Sequence, residues 1–407
     1  MRISFLSASG QLGGAETSLL DMLASLRAAQ PAWPLQLVSG ADGPLVERAS
    51  ALGVAVAVTP LPEDVARLGE TGALAAGGPA KFAARVGRAA GPIARYIGAM
   101  HGVLAPFSPD VLHTNGFKMH LLGAFAATEA AVVWHVHDYV RSRRVSARLL
   151  KWTVGRAAAL IANSHSVAAD VRQALGPVPV TTIYNAIDLE RFSPDGEALD
   201  LDRRAGVAPA PPGTVRVGLL ATFARWKGHD TFLDAIARLP TTAPVRAYVI
   251  GGPVYQTDAS QWSLEELRSM ARARGIEQRV AFTGVVDRAD AALRSLDIAV
   301  HASTQPEPFG LVIAEAMACG RAVIVSAAGG AAELVTPNDT ALTHTPGDSA
   351  GLAAAIESLI VDGDRRAVLG RAARASAAVR FDRSRLGGEL SAVYHQAVTA
   401  HAPAARL

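Results

Sequence analysis

Two carboxylates in the stretch STQPEPFGLVIAEAMACG, Ser303–Gly320, follow an E-x7-E spacing at Glu307 and Glu315. Pro308 stands where a proline opens a helix, since its missing N–H would have had no intrahelical acceptor. A helix from there to about Ala318 puts the amides of Phe309, Gly310 and Leu311 in its first turn. There the ladder offers no acceptor and the helix dipole is positive. Such an end can seat a phosphate. Glu307, ahead of the helix, can reach a sugar. Glu315, more than a turn inside and flanked by apolar residues, can accept hydrogen bonds from ribose hydroxyls.

Three further clusters carry chemistry-bearing side chains. In ATFARWKGHD, Ala221–Asp230, Arg225 and Lys227 follow the strand-like RVGLL. Two cations there suit a diphosphate, whose negative charge grows as it leaves a reacting centre. Taken alone they could equally be solvated surface charges. W-H-V-H-D, Trp134–Asp138, ends another strand-like run. Strand alternation puts His135 and His137 on one face, where an imidazole can bond a hydroxyl or share a proton. One of the pair reads as a buried structural residue and His137 as the functional one; no third ligand has a metal-binding spacing. Finally, SASGQLGGAETSLLDML sets Gly10, Gly13 and Gly14 before a helical pattern from Ala15 to Leu26. That loop is either an anion approach or a plain tight turn, and its spacing is not the G-x-G-x-x-G of dinucleotide sites.

The elements that must hold these clusters are short apolar runs alternating with helical patterns. RISFLS, LQLVSG, AVAVTP, VLHTN, AVVWHVHD and AALIANS form one series; RVGLLAT, RAYVIGG, RVAFTG, DIAVHAS and AVIVSAA form a second. Continuous apolar strands between helices mean parallel sheets covered on both faces. Phe192–Gly213, with four prolines and no periodicity, separates the series. The expected organisation is an α/β chain of two Rossmann-like domains, 1–190 and 214–375, with a helical tail at 376–407 packing back toward the first. Ligands of such sheets bind beyond the carboxyl ends of strands. Every cluster falls at such a place, so the expected site is a cleft between the domains.

Composition bounds the remaining classes. At 407 residues two domains are expected, and 18% charged residues with a formal net charge of +3 argue against a nucleic-acid binder. The single Cys319 excludes a disulfide framework and reads as a small buried hydrophobe in a reducing compartment. Met1–Leu6 shows no signal-peptide pattern, and no apolar run has the length of a membrane span, so a cytoplasmic location is expected. Charge is uneven, however. Between Lys81 and Arg156 eleven Lys and Arg face only Asp110, Glu129 and Asp138. Lys81, Arg85, Arg88 and Arg95 recur beside Phe82, Val86, Ile93 and Ile97, and Arg141, Arg143, Arg144 and Arg148 follow the histidines. This basic stretch is expected to meet either an anionic membrane surface or a soluble acceptor.

Taken in order, the motifs resemble a known family. G-G-A-E at Gly13–Glu16, W-H-V-H-D at Trp134–Asp138, Y-N-A-I-D at Tyr184–Asp188, R-W-K-G at Arg225–Gly228, the E-x7-E pair and G-G-A-A-E at Gly329–Glu333 are similar to those of family-4 retaining glycosyltransferases of the GT-B fold. The resemblance spans essentially the whole chain. It implies a nucleoside-diphosphate sugar (a UDP- or GDP-sugar) as co-substrate, no cofactor and no metal, and transfer with retention to a hydroxyl of a glycan, lipid-linked or small-molecule acceptor. It further implies that Gly14 approaches the donor phosphate and Lys227 binds the diphosphate. Glu307 would meet sugar hydroxyls, Phe309, Gly310 and Leu311 would offer amides, and Glu315 would hold the ribose. Val286 would lie beside the base and His137 near the transferred sugar and acceptor. Two departures stand out: Ala221-Thr222 replaces the usual Gly-Arg, and Ala186 replaces a glycine. Arg225 is the expected substitute for the missing cation. A nucleotide-sugar epimerase, an inactive nucleotide-sugar-binding protein and a Rossmann oxidoreductase are the competing classes.

Overall fold

The computed structural model describes residues 1–66, 78–126, 129–253 and 260–401. The chain forms two compact units, Met1–Asn185 with the chain from Arg383 onward, and Ala186–Asp382.

Seven parallel strands make the sheet of the first unit: β1 (Ile3–Ser7), β2 (Leu35–Ser39), β3 (Ala55–Val58), β4 (Val111–Asn115), β5 (Ala131–Val136), β6 (Ala159–Ala162) and β7 (Val180–Thr182). Their order is β3-β2-β1-β4-β5-β6-β7. Every residue of β1, β2, β4 and β5 is buried, which is why these strands read as unbroken apolar runs. The register sets Ile3 between Leu35 and Val111. The helix Ser384–His401 belongs to this unit. It packs on the helix Gly14–Ala29, where a Cβ on Gly387 would lie 2.6 Å from the Ser25 carbonyl oxygen.

The sheet of the second unit has six parallel strands: β8 (Val215–Leu220), β9 (Val245–Ile250), β10 (Val280–Gly284), β11 (Ile298–His301), β12 (Ala322–Ser326) and β13 (Leu342–His344). They run in the order β10-β9-β8-β11-β12-β13. Both sheets therefore have a switch point, between β1 and β4 and between β8 and β11. On either side of it the connections leave in opposite directions, and the carboxyl edge opens.

Three expectations need correction. The proline-rich segment after Phe192 is no spacer, because it is tied into the second unit. Buried Asp202 accepts from the Arg246 guanidinium and the Tyr248 hydroxyl at 2.9 and 2.7 Å. Arg294 donates to the carbonyls of Arg191, Ser193 and Glu197. The boundaries consequently lie at 185/186 and 382/383 rather than near 190, 214 and 375. Strands β7 and β13 were not anticipated; each has three residues and sits at a sheet edge. The helix Gly78–Phe107 turns Tyr96, Met100 and Leu104 into the core, with Ile93 and Ile97 packed against them. These five side chains therefore face the core rather than a surface. The side chains of Lys81, Phe82, Arg85 and Val86, and residues 67–77, lie outside the described residues. Among the described residues no helix is long and apolar enough to cross a membrane.

Candidate active site

At the switch point of the second unit, the loop after β8 and the loop after β11 are pinned together. The carbonyl of Trp226 accepts from the backbone N–H and hydroxyl of Thr304 at 2.8 and 3.2 Å. Lys227 closes the short 3-10 turn Arg225–Lys227, and Gly228 then takes φ +74° to open the helix His229–Arg238. A Cβ on Gly228 would lie 1.9 Å from the Ala302 carbonyl oxygen, so only glycine lets the two loops approach this closely.

Lys227 and Glu307 meet there. The lysine Nζ lies 2.9 and 2.8 Å from the two carboxylate oxygens of Glu307, which is 7% exposed. Glu307 Oε2 also accepts from the Ser303 hydroxyl at 2.9 Å and lies 3.3 Å from His301 Nε2. The Glu307 backbone is clamped as well, its carbonyl accepting from Gly330 N–H at 2.7 Å in the G-G-A-A-E turn. Burial alone would push this carboxyl up. The Lys227 cation and the His301 and Lys227 hydrogen bonds outweigh it and hold the group well below the ordinary carboxylate range. Glu307 is therefore a fixed anion at neutral pH, able to accept from hydroxyls brought to its exposed edge. Beside it His229 is fully buried, edge-on to Phe223, and burial with the neighbouring Lys227 cation lowers it to about 4.

The helix expected from Pro308 begins later. Gly310 has φ +94° and caps a helix of Leu311–Ala318. Phe309 is drawn into the core, edge-on to Phe381 at 5.8 Å. The first-turn amides are those of Leu311 and Val312, since Ile313 N–H already donates to the Gly310 carbonyl. Of the three expected amide donors, only Leu311 lies in the helical turn. Glu315 sits half-buried in the middle of this helix, and Val286 is half-buried just past Gly284, which ends β10 at φ +72°.

Arg225 does not join Lys227. Its guanidinium lies over the Trp262 ring at 3.6 Å and pairs with Glu266 at 3.2 Å. Both partners belong to the segment opening the helix Leu264–Ala273.

In the first unit, the loop after β1 meets the end of β4 at the other switch point. The Asn115 side-chain amide donates to the Ala15 carbonyl at 3.3 Å. Gly13 caps the helix that starts at Gly14, and its N–H donates to Glu16 at 3.2 Å, so this helix start carries its own carboxylate. Gly10 serves packing, because a Cβ there would lie 2.3 Å from the Asp42 carbonyl oxygen. His135 and His137 do share a face, their rings stacked at 4.1 Å. His135 is 1% exposed, and His113 packs edge-on to it while its Nδ1 lies 2.8 Å from the Tyr394 hydroxyl. The ring nitrogens of His135 and His137 have no hydrogen-bond partner among the described residues. Burial lowers His137 to about 4 and His113 to about 3, the latter helped by His137. The Y-N-A-I-D motif straddles the passage between the units. Asn185 accepts from Ser18 at 2.9 Å in the first unit, and Ile187 N–H donates to the Phe381 carbonyl in the second.

Sequence reasoning missed His301, Ser303 and His344, whose ring Nε2 lies 3.3 Å from the His301 carbonyl. The signal was present in DIAVHAS, where a histidine and a serine stand at a strand's carboxyl end.

Comparison with known proteins agrees with this geometry. Residues 208–376 match the family Glycosyl transferases group 1, and residues 12–191 match Glycosyltransferase Family 4. The glycogen synthase of Mycobacterium tuberculosis is 32% identical over 70% of this chain and 68% of its own length. The D-inositol 3-phosphate glycosyltransferase of Stackebrandtia nassauensis is 32% identical over 62% of this chain and 57% of its own. Among solved structures, HepE of Anabaena, in complex with UDP and glucose, aligns with a TM-score of 0.78 and 27% identity over 97% of this chain and 99% of that one. The paired loops at the second switch point lie within the first matched region, and the histidine strand lies within the second. The chain belongs to the family-4 glycosyltransferases of the GT-B fold.

Proposed function

We propose that this glycosyltransferase moves a hexose from a UDP-sugar, with retention and without a divalent cation, to a hydroxyl of a glycan, lipid-linked or small-molecule acceptor. The observation that carries the reading is the Lys227–Glu307 pair at the second switch point, ahead of the helix Leu311–Ala318. In this reading Lys227 and the first-turn amides receive the diphosphate, where positive charge counts most as the leaving group gains negative charge. Glu307, held ionised, orients the sugar through its hydroxyls. Glu315 takes the ribose, Val286 lies beside the base, and Gly14 and His137 serve the donor phosphate and the acceptor. The ligands in the HepE complex support UDP over GDP.

The test is a melting-temperature screen of UDP, GDP, ADP and dTDP, followed by turnover of the sugar nucleotides of whichever base stabilises the protein. UDP should give the largest shift. Its sugar should then be hydrolysed slowly without acceptor, with the α anomer released first and the rate unchanged by a chelator. Stabilisation by GDP alone would overturn the base assignment. A β anomer, or loss of turnover with chelator, would overturn retention or metal independence.

One observation favours a second reading, an inactive nucleotide-sugar-binding protein. Thr222 stands where the family has an arginine, and Arg225 is engaged by Trp262 and Glu266. Binding of a nucleotide sugar with no conversion of it would decide for that reading.

A further inference from the structure

The described residues leave ten large hydrophobic side chains exposed, and seven of them are valines scattered over both units. The other three, Phe125, Leu149 and Trp152, lie together. Trp152 is 74% exposed and its ring is 6.0 Å from that of Phe125; Leu149 is one turn before it on the helix Arg144–Thr153. This helix is anchored from its other side by Leu150 and Thr153, both 1% exposed, with Leu150 in the core cluster of β5 and β6. Its outward face is therefore held rigidly in solvent.

The same face is basic. Arg144, Arg148, Lys151 and Arg156 are all exposed, and among the described residues none of them is paired with a carboxylate. The Arg156 guanidinium instead lies over the Phe125 ring at 4.6 Å. The neighbouring cations are already engaged, Arg143 by Asp138 at 3.0 Å and Arg141 by Gln173.

We propose that this face, Arg144–Thr153 with Phe125 and Arg156 beside it, docks on an anionic lipid bilayer. Tryptophan and leucine on a helix face, ringed by unneutralised Arg and Lys, match a bilayer's interface in both respects. The aromatic ring enters the headgroup layer while the cations meet lipid phosphates and carboxylates. The alternatives fit less well. A soluble acidic polymer would satisfy the cations but leave Trp152 in water. A second copy of this chain, meeting itself about a two-fold axis, would set these four cations against their own images. The surface lies outside the donor-site residues, so the proposal stands whether or not the donor is a UDP-sugar.

The test is flotation of the full chain with phosphatidylcholine vesicles, with and without phosphatidylglycerol. Wild type should float with the anionic vesicles at low salt and stay behind with neutral ones. The double variant Trp152→Ala with Leu149→Ser should weaken the binding by about tenfold or more, from the apolar area withdrawn. The triple variant Arg144→Glu, Arg148→Glu and Lys151→Glu should weaken it by about a hundredfold, from roughly fivefold or more per cation. Both variants should keep the wild-type melting temperature, since the changed side chains are exposed. Equal flotation with neutral and anionic vesicles would overturn the proposal, as would no flotation at all. Loss with the charge variant but not with the tryptophan variant would replace the bilayer by an acidic polymer. Concentration-dependent dimerisation of wild type, abolished by Trp152→Ala, would replace it by a second copy.

Discussion

Glu307 in the second unit and the His135–His137 stack in the first are both buried titratable groups at the carboxyl end of a parallel sheet. They are resolved in opposite ways. Glu307 keeps its charge because a lysine, a hydroxyl and an imidazole surround it. The imidazoles have no such partners, and burial keeps them neutral. One site is thus a permanent electrostatic fixture that needs no proton to move. The other presents ring nitrogens kept neutral by desolvation first and, for His135, by the neighbouring imidazoles as well. Position at the carboxyl end of a sheet does not determine a group's charge state; the neighbouring side chains do.

The comparison breaks hardest at the ion pair. Glu307→Ala and Lys227→Ala should each lower turnover by about 10²–10³, the usual loss when a charge contact to a transition state is removed. Wild-type turnover in either variant would take that residue out of the mechanism. The two should differ in stability. Removing Lys227 leaves a buried carboxylate without its cation, a change that costs about 3–5 kcal/mol in such pairs, whereas Glu307→Ala exposes a less buried lysine. In wild type the Glu307 carboxyl titrates below its unfolded value, so its contribution is complete above the ordinary carboxylate range and is lost progressively as the pH falls below it. In Lys227→Ala the burial effect prevails, the folded value rises above the unfolded one, and stability should fall as pH rises through that range. Chemical denaturation of both proteins across pH would show this reversal of slope, or its absence.

A smaller effect separates the two stacked histidines. A base held below its unfolded value stabilises the fold fully above that value and loses the contribution as pH falls toward the folded one. For His137 that window runs from about 6.5 down to about 4. His135→Phe keeps the apolar contacts and removes a group that must stay neutral. It should flatten the acid limb of the melting-temperature profile and leave turnover within a few-fold of wild type. His137→Phe should flatten the same limb but lower turnover by about 10²-fold, as loss of a positioned acid–base group does. Equal turnover losses in both would make the stack one functional unit.

The smallest expected effect is at Arg225. Its ring and carboxylate partners already occupy it, so Arg225→Ala should raise KM for the donor only a few-fold. If Arg225 leaves Glu266 for a phosphate, the loss should instead reach about tenfold or more. Thr222→Arg in that background should then restore part of it.

The long buried strands were legible because burial on both faces writes an unbroken apolar run. The three-residue edge strands Val180–Thr182 and Leu342–His344 were not, because so short a run has no pattern to read. The segment after Phe192 misled for a different reason. Its prolines and lack of periodicity are local signals, whereas its attachment is made by Asp202 to Arg246 and Tyr248, more than forty residues away. The same limit hid Ser303 and His301, whose role depends on a carboxylate folding back beside them. Glu307 and Lys227, which the fold brings together, stood out in the sequence because motif spacing is itself a local signal. The start of the helix at Leu311 was not, since a left-handed Gly310 looks in sequence like any glycine.

The helix Ser384–His401 has a consequence for how this protein is made. Its Tyr394 bonds His113 and its His395 ring packs at a tilt against Trp33, so the first unit lacks that cover until this helix has emerged. Between Asn185 and Arg383 lie about 200 residues, which a ribosome adding roughly 5–20 residues per second translates in about 10–40 s. Through that interval the nascent first unit carries an open apolar face along Gly14–Ala29, while the second unit has everything it needs to close. The half that begins first is the half that finishes last.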